Sequence, residues 1–207
     1  MNDTLLPALL GLGTGLALIV AIGSQNAFLL RLGIDGRPRT VLAVVMVCAL
    51  SDAVLIGAGV LGVGAVVEAA PAAVAVVRFL GAGFLIVYGL FAARRALRPG
   101  SMTVEGGAQG IGTKAAVVTA VALTWLNPHV YLDTVVFLGS VANQQDGDAR
   151  WWWVRGAVTA SFLWFFALGF GARLLRPLFA RPGAWRILDA FIAAVMLSLG
   201  VRLALGH

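Results

Sequence analysis

Cysteine occurs once in the 207-residue chain, at Cys48, so neither an internal disulfide nor a paired redox motif can form. Histidine occurs only at His129 and His207, which argues against a metal path built on histidine clusters. Charge is scarce as well. Asp, Glu, Lys and Arg make up 12% of the residues, against roughly 25% in a soluble domain. What fills their place is apolar: 60% of the residues are hydrophobic and the mean hydropathy is +0.95. These values exclude a soluble domain and predict an integral membrane protein. No GxSxG, HExxH, P-loop or Rossmann fingerprint stands in a credible context, so no enzyme is expected. The net charge of +6 is not a nucleic-acid footprint, because the arginines flank apolar runs, where topology signals belong.

A membrane span needs about 20 apolar residues, and the length fits six with short loops. The apolar runs predict helices over about Leu5–Leu30, Thr40–Val66, Ala72–Ala93, Ala115–Val141, Trp151–Gly171 and Ile187–Leu205. The first is expected to be a retained helix rather than a cleaved signal, since Asp3 is the only charge before Arg31 and no basic segment leads it. The loops alternate in charge. The first holds Arg31, Arg37 and Arg39 against Asp35; the third holds Arg94, Arg95, Arg98 and Lys114 against Glu105; the fifth holds Arg173, Arg176, Arg181 and Arg186. The second and fourth are acidic or nearly neutral. Positive loops stay in the cytoplasm, which puts both termini outside. Trp151, Trp152 and Trp153 suit the outer interface.

A faint internal repeat runs through the chain. Asn26 pairs with Asn127, Ser51 and Gly59 with Ser161 and Gly169, and Arg78 and Arg94 with Arg186 and Arg202 at identical spacing. Two three-helix halves follow, about 1–98 and 114–207, joined by a Gly-rich cytoplasmic linker at 94–114, within one transmembrane domain over 1–207. Three is odd, so the second half enters from the opposite side. The fold class expected is therefore all-α, six transmembrane helices in two inverted repeats, with a site near the midplane where the repeats meet.

The costliest residues lie inside the fourth predicted span, at Asn127-Pro128-His129-Val130-Tyr131-Leu132-Asp133. An Asp at a helix centre costs roughly 2.5–3.5 kcal/mol on insertion scales, and such residues usually mark a substrate or ion path. Pro128 cannot donate to the Thr124 carbonyl, so the helix should kink or open there. At helical spacing His129 and Asp133 share one face, and Asn127, Tyr131 and Thr134 a neighbouring one. The plainer reading is a structural kink with satisfied packing groups around it. Asp52, after Ser51 in the second span, has no cation within a turn of its own helix. It is paired across the bundle, neutral, or placed for a cationic ligand. Gly23-Ser24-Gln25-Asn26 offers a second weak point with donors and acceptors, or else a polar helix end. The glycines at 11, 13, 15, 57, 59, 62, 64, 81 and 83 suit close helix approach. For Arg78 and Asp189, near span ends, snorkelling or an ion pair suffices.

These motifs resemble the lysine/arginine exporters of the LysE type. The resemblance rests on Gly23–Phe28 (GSQNAF), Ser51–Ile56 (SDAVLI), Thr124–Thr134 (TWLNPHVYLDT) and Ala160–Phe166 (ASFLWFF), and covers essentially the whole chain. The family often has Gly-Pro-Gln-Asn in the first helix; here Ser24 replaces the proline. The resemblance implies export of basic amino acids, arginine or lysine, across the bacterial inner membrane, driven by the proton-motive force as an antiport. It implies a basic amino acid, protons and membrane lipid as partners and no cofactor, and it leaves a homo-oligomer open. Arginine needs anionic acceptors for its cations, which Asp52 and Asp133 can supply. It needs donors for its carboxylate, which Asn26, Asn127, Tyr131 and helix ends can supply. The candidate site is thus Asp52, Asp133, Asn127, Pro128, His129, Tyr131, Gln25, Asn26 and Ser51, with His129 as proton partner of Asp133. The rivals are an exporter of neutral amino acids such as homoserine or threonine, and a membrane protein that transports nothing but binds a partner.

Overall fold

The computed structural model describes residues 2–20, 23–62, 69, 71–97, 111–180 and 182–205, and every regular element among them is a helix. Helix α1 spans Asn2–Ile19, α2 Ser24–Asp35, α3 Pro38–Val60, α4 Pro71–Leu97 and α5 Thr113–Trp125. Helix α6 opens with the turn Pro128–Val130, widens into a π-helical stretch at Tyr131–Leu138 and closes as Gly139–Asn143. Helix α7 spans Ala149–Gly171 and runs on through 3-10 turns at Ala172–Leu175 and Leu178–Ala180; α8 spans Pro182–Leu205. Proline opens α3, α4, α6 and α8, where its missing N–H has no helical partner to lose.

Four segments among the described residues are long and apolar enough to cross a bilayer: Pro38–Val60, Ala75–Leu97, Ala149–Leu175 and Gly183–Leu205. The pair α1 and α2, whose two arms meet at 84°, makes a fifth if both arms are taken as one bent span. Their outward faces carry Leu5, Leu9, Val54, Phe79, Phe91 and Leu163, all exposed. An apolar surface this extensive is foreign to a soluble monomer and suits lipid. α3 packs on α5, α6 and α7. It buries Val41, Val44, Val45, Cys48 and Ala49 completely. α4 lies along α8 and α1 along α7. Glycines set the closest approaches: a Cβ on Gly156 of α7 would run into the Ala8 carbonyl of α1, and one on Gly139 of α6 would fall 2.7 Å from the Gly59 carbonyl carbon of α3.

Several expected boundaries move. The first span is not one helix over Leu5–Leu30 but two: α1 ends at Ile19 and α2 starts at Ser24, after Gly23 in an extended conformation (φ −104°, ψ 178°) and with no proline between them. The second stops at Val60, its chain turning at Gly62 with φ +88°, a left-handed angle natural only to glycine; residues 63–68 lie outside the described residues. The supposed linker at 94–114 begins and ends inside helices, at Leu97 and Thr113, and its centre at 98–110 lies outside the described residues.

Arg31, expected in a basic loop, is a buried residue of α2 at 5% exposure. It pairs with Asp189 of α8, which is wholly buried. Arg95 of α4 reaches the same carboxylate oxygen at 3.2 Å. One Asp thus joins three helices, while Trp185 and Tyr88 flank the two guanidiniums at 5.5 and 6.0 Å. The neighbouring arginines close helix ends: Arg176 Nε donates to the Ile34 carbonyl at 2.8 Å and Arg186 Nε to that of Ala96 at 3.0 Å.

Candidate functional site

Both breaks are built by local backbone chemistry. At α5, Leu126 donates to Ala122 at 3.0 Å and Asn127 only to Thr124, at 3.4 Å. Pro128 follows with no N–H and starts α6, so the helix stops at Trp125 and restarts at Pro128. The interruption frees the Trp125 carbonyl, and the Tyr131 hydroxyl donates to it at 2.7 Å. At the other break, the Asn26 amide nitrogen donates to the Ile19 carbonyl at the end of α1, at 2.7 Å. A side chain from the second arm therefore satisfies the last turn of the first arm in both places. Inside an apolar bundle an unsatisfied carbonyl is costly, so these two bonds hold the breaks open.

Between the breaks lies a cavity of about 350 Å³, at the lower end of the roughly 300–1,000 Å³ range of small-molecule pockets. Gln25, Asn26, Asp52, Asn127 and Asp133 all line it, brought from α2, α3, the α5–α6 break and α6. Ser24, Thr134 and Ser161 add polar wall, and Leu18, Ile56 and Phe165 apolar wall. Asp52 is 8% exposed, and Ser161 Oγ donates to its Oδ2 at 2.9 Å. Asp133 is exposed on the cavity side of α6. Arg202 of α8 is the one cation among the described lining residues, and it is exposed. With both carboxylates ionised the wall carries two negative charges against one positive, an environment for a cation of amino-acid size.

Three proposed site residues stand behind the wall. Ser51 accepts from Trp125 Nε1 at 3.1 Å, Tyr131 is committed to the Trp125 carbonyl, and Pro128 is buried at the start of α6. The side chain of His129 lies outside the described residues. The two faces expected from α-helical spacing do not hold from Tyr131 onward, because the π-helical stretch has a longer repeat; Asp133 and Thr134 both reach the cavity. Ser24 entered the sequence reading only as part of the weak point Gly23–Asn26, and Ser161, on the cavity, and Trp164, behind it, were not among the expected site residues. Trp164 Nε1 donates to Asn26 Oδ1 at 3.2 Å. An indole N–H within an apolar span usually finds an acceptor, and that was the available signal. Among the described residues no three His, Cys, Asp or Glu side chains come together as a metal site would require.

The model of the family described as LysE type translocator matches residues 16–207. The chain belongs to the LysE type translocator family. Among its relatives, "Putative amino-acid transporter Rv0488" of Mycobacterium tuberculosis (strain H37Rv) is 49% identical over 188 residues, 90% of each chain. Two proteins named arginine exporter protein ArgO are similar over nearly their whole length. That of Yersinia enterocolitica is 41% identical over 194 residues, 94% of each chain. That of Pectobacterium carotovorum is 40% identical over 190 residues, 92% of each chain. No solved structure matches this LysE-type chain. The family is one of transporters, and with its apolar helices the protein is a multi-pass membrane protein.

Proposed function

We propose that this LysE-type protein is a secondary exporter of basic amino acids, arginine first and lysine second, in the bacterial inner membrane. One observation carries the reading. Two carboxylates on different helices, Asp52 and Asp133, share a cavity of amino-acid size between two broken helices. A neutral zwitterion has one cationic group to satisfy; arginine and lysine have two. The relatives named as arginine exporters favour the same substrate.

In this reading α5 and α6 together form the fourth span of six, and the halves 1–98 and 114–207 are inverted repeats of one domain. The packing supports it. α1 on α7 corresponds to α5 and α6 on α3 under exchange of the halves, and α4 on α8 maps onto itself. Both termini then face outward. Transport is proton-coupled antiport by alternating access, Asp52 and Asp133 holding substrate cation and proton in turn. No enzymatic step is involved.

Counterflow of labelled arginine in proteoliposomes tests the substrate. Unlabelled arginine and lysine inside the vesicles are expected to drive uptake; threonine and homoserine are not. Uptake driven equally by threonine would give the neutral-amino-acid reading, and no uptake with any amino acid would leave a protein that only binds a partner. His129 is the proposed proton partner of Asp133. His129→Gln is expected to flatten the pH profile of transport; an unchanged profile rules that role out.

A further inference from the structure

With its cationic groups at Asp52 and Asp133, the substrate still needs donors for its carboxylate. Asn26 and Tyr131, two of the expected donors, are committed elsewhere: the Asn26 amide to the Ile19 carbonyl and the Tyr131 hydroxyl to that of Trp125. The opposite wall offers something else. α2 begins at Ser24, on the cavity, and its first helical hydrogen bond runs from Ala27 to the Gly23 carbonyl at 3.1 Å. The N–H groups of Ser24 and Gln25 precede that bond, so no carbonyl of their own helix is available to them. No side chain caps this end and no acidic residue stands in the first turn, so nothing on the helix answers its positive pole. The second observation is independent of the helix end. Ser24 lines the cavity and is 1% exposed, and its hydroxyl has no hydrogen-bond partner. A buried hydroxyl in that state costs free energy unless something in the cavity accepts from it.

We propose that the first turn of α2, with the Ser24 hydroxyl as its side-chain donor, is the subsite for the α-carboxylate of the transported amino acid. The inference rests on the reading of this cavity as an amino-acid site. Anions bind at helix N-termini because the exposed N–H groups and the helix dipole act together. A substrate bound this way is polarised across the cavity, with its carboxylate on α2 and its cationic groups toward Asp52 on α3 and Asp133 on α6. The site would therefore read the class of the substrate, an α-amino acid, at Ser24, and its side-chain charge at the carboxylates. Arg202 is the competing partner for a carboxylate, but it is exposed on the wall, where water screens it.

The test compares arginine with argininamide, in which a neutral amide replaces the carboxylate, by equilibrium binding to the purified full-length protein. Wild type is expected to prefer arginine. Ser24→Ala is expected to weaken arginine roughly tenfold, the worth of one hydrogen bond to a charged group, and to leave argininamide little changed. Ser24→Thr, which keeps a hydroxyl, is expected to restore arginine binding. Equal weakening of both ligands, or of neither, overturns the subsite while leaving the amino-acid site intact. Loss of the preference in Arg202→Gln instead of Ser24→Ala places the carboxylate at Arg202 and overturns it too. Wild type binding neither ligand would bring down the amino-acid reading of the cavity, and the subsite with it.

Discussion

Asp52→Asn is expected to abolish arginine transport in proteoliposomes while the protein stays folded. Asn keeps the shape of Asp and still accepts from Ser161, so the 2.9 Å bond between α3 and α7 survives. What disappears is the negative charge, in a side chain only 8% exposed. Removing one member of a buried, hydrogen-bonded charge pair costs about 2–5 kcal/mol, or roughly 30-fold to a few thousand-fold in affinity. Asp133→Asn is expected to fall at the lower end of that range, because Asp133 is exposed and water shares its charge. The measurements are initial rates of labelled arginine exchange, with thermal unfolding in detergent as the control for folding. Near-wild-type exchange in both variants would remove the two carboxylates from the mechanism.

Asp189→Ala is expected to destabilise the protein by about 3–5 kcal/mol, the usual result of stripping the partner from a buried charge. Arg31, 5% exposed, would lose its ion pair with Asp189; Arg95, whose side chain is one-third exposed, can turn toward water. The sign reverses for a combined change. Arg31→Met with Asp189→Leu is expected to recover most of the loss, since apolar side chains of similar volume commonly replace a buried ion pair at little cost. Unfolding in detergent, followed by tryptophan fluorescence for the wild type and the two variants, measures both effects. A double variant as unstable as Asp189→Ala alone would mean that α2, α4 and α8 depend on the ionic contact itself.

These two carboxylates differ in how far they were legible. Asp52 stands alone in an apolar run, and that cost marks it in the bare sequence. Asp189 lies near the start of a span, where an ion pair at the surface is an equally good account. Its burial depends on Arg31 and Arg95 arriving from helices 158 and 94 residues away in the chain. Arg31 shows the converse error. Counted as a basic loop residue, it belongs to a helix interior, because the turn between α2 and α3 is only Gly36 and Arg37.

The sequence by itself determined the solvent. A chain that is 60% hydrophobic and 12% charged can satisfy its backbone in lipid only as helices or a closed barrel, and the long apolar runs select helices. It also marked the break at Pro128, since a proline in the interior of an apolar run removes a helical hydrogen bond and crowds the carbonyl four residues back. The tertiary structure decided the rest. It broke the first span at Gly23 where no proline stands, and stabilised both breaks with side chains reaching back six and seven residues. It gathered Gln25, Asn26, Asp52, Asn127 and Asp133 around one cavity, and withdrew Ser51, Pro128 and Tyr131 behind its wall. The physical reason is the same in each case. Without water, a polar group must find its partner within the protein, and which partner it finds depends on how the helices pack.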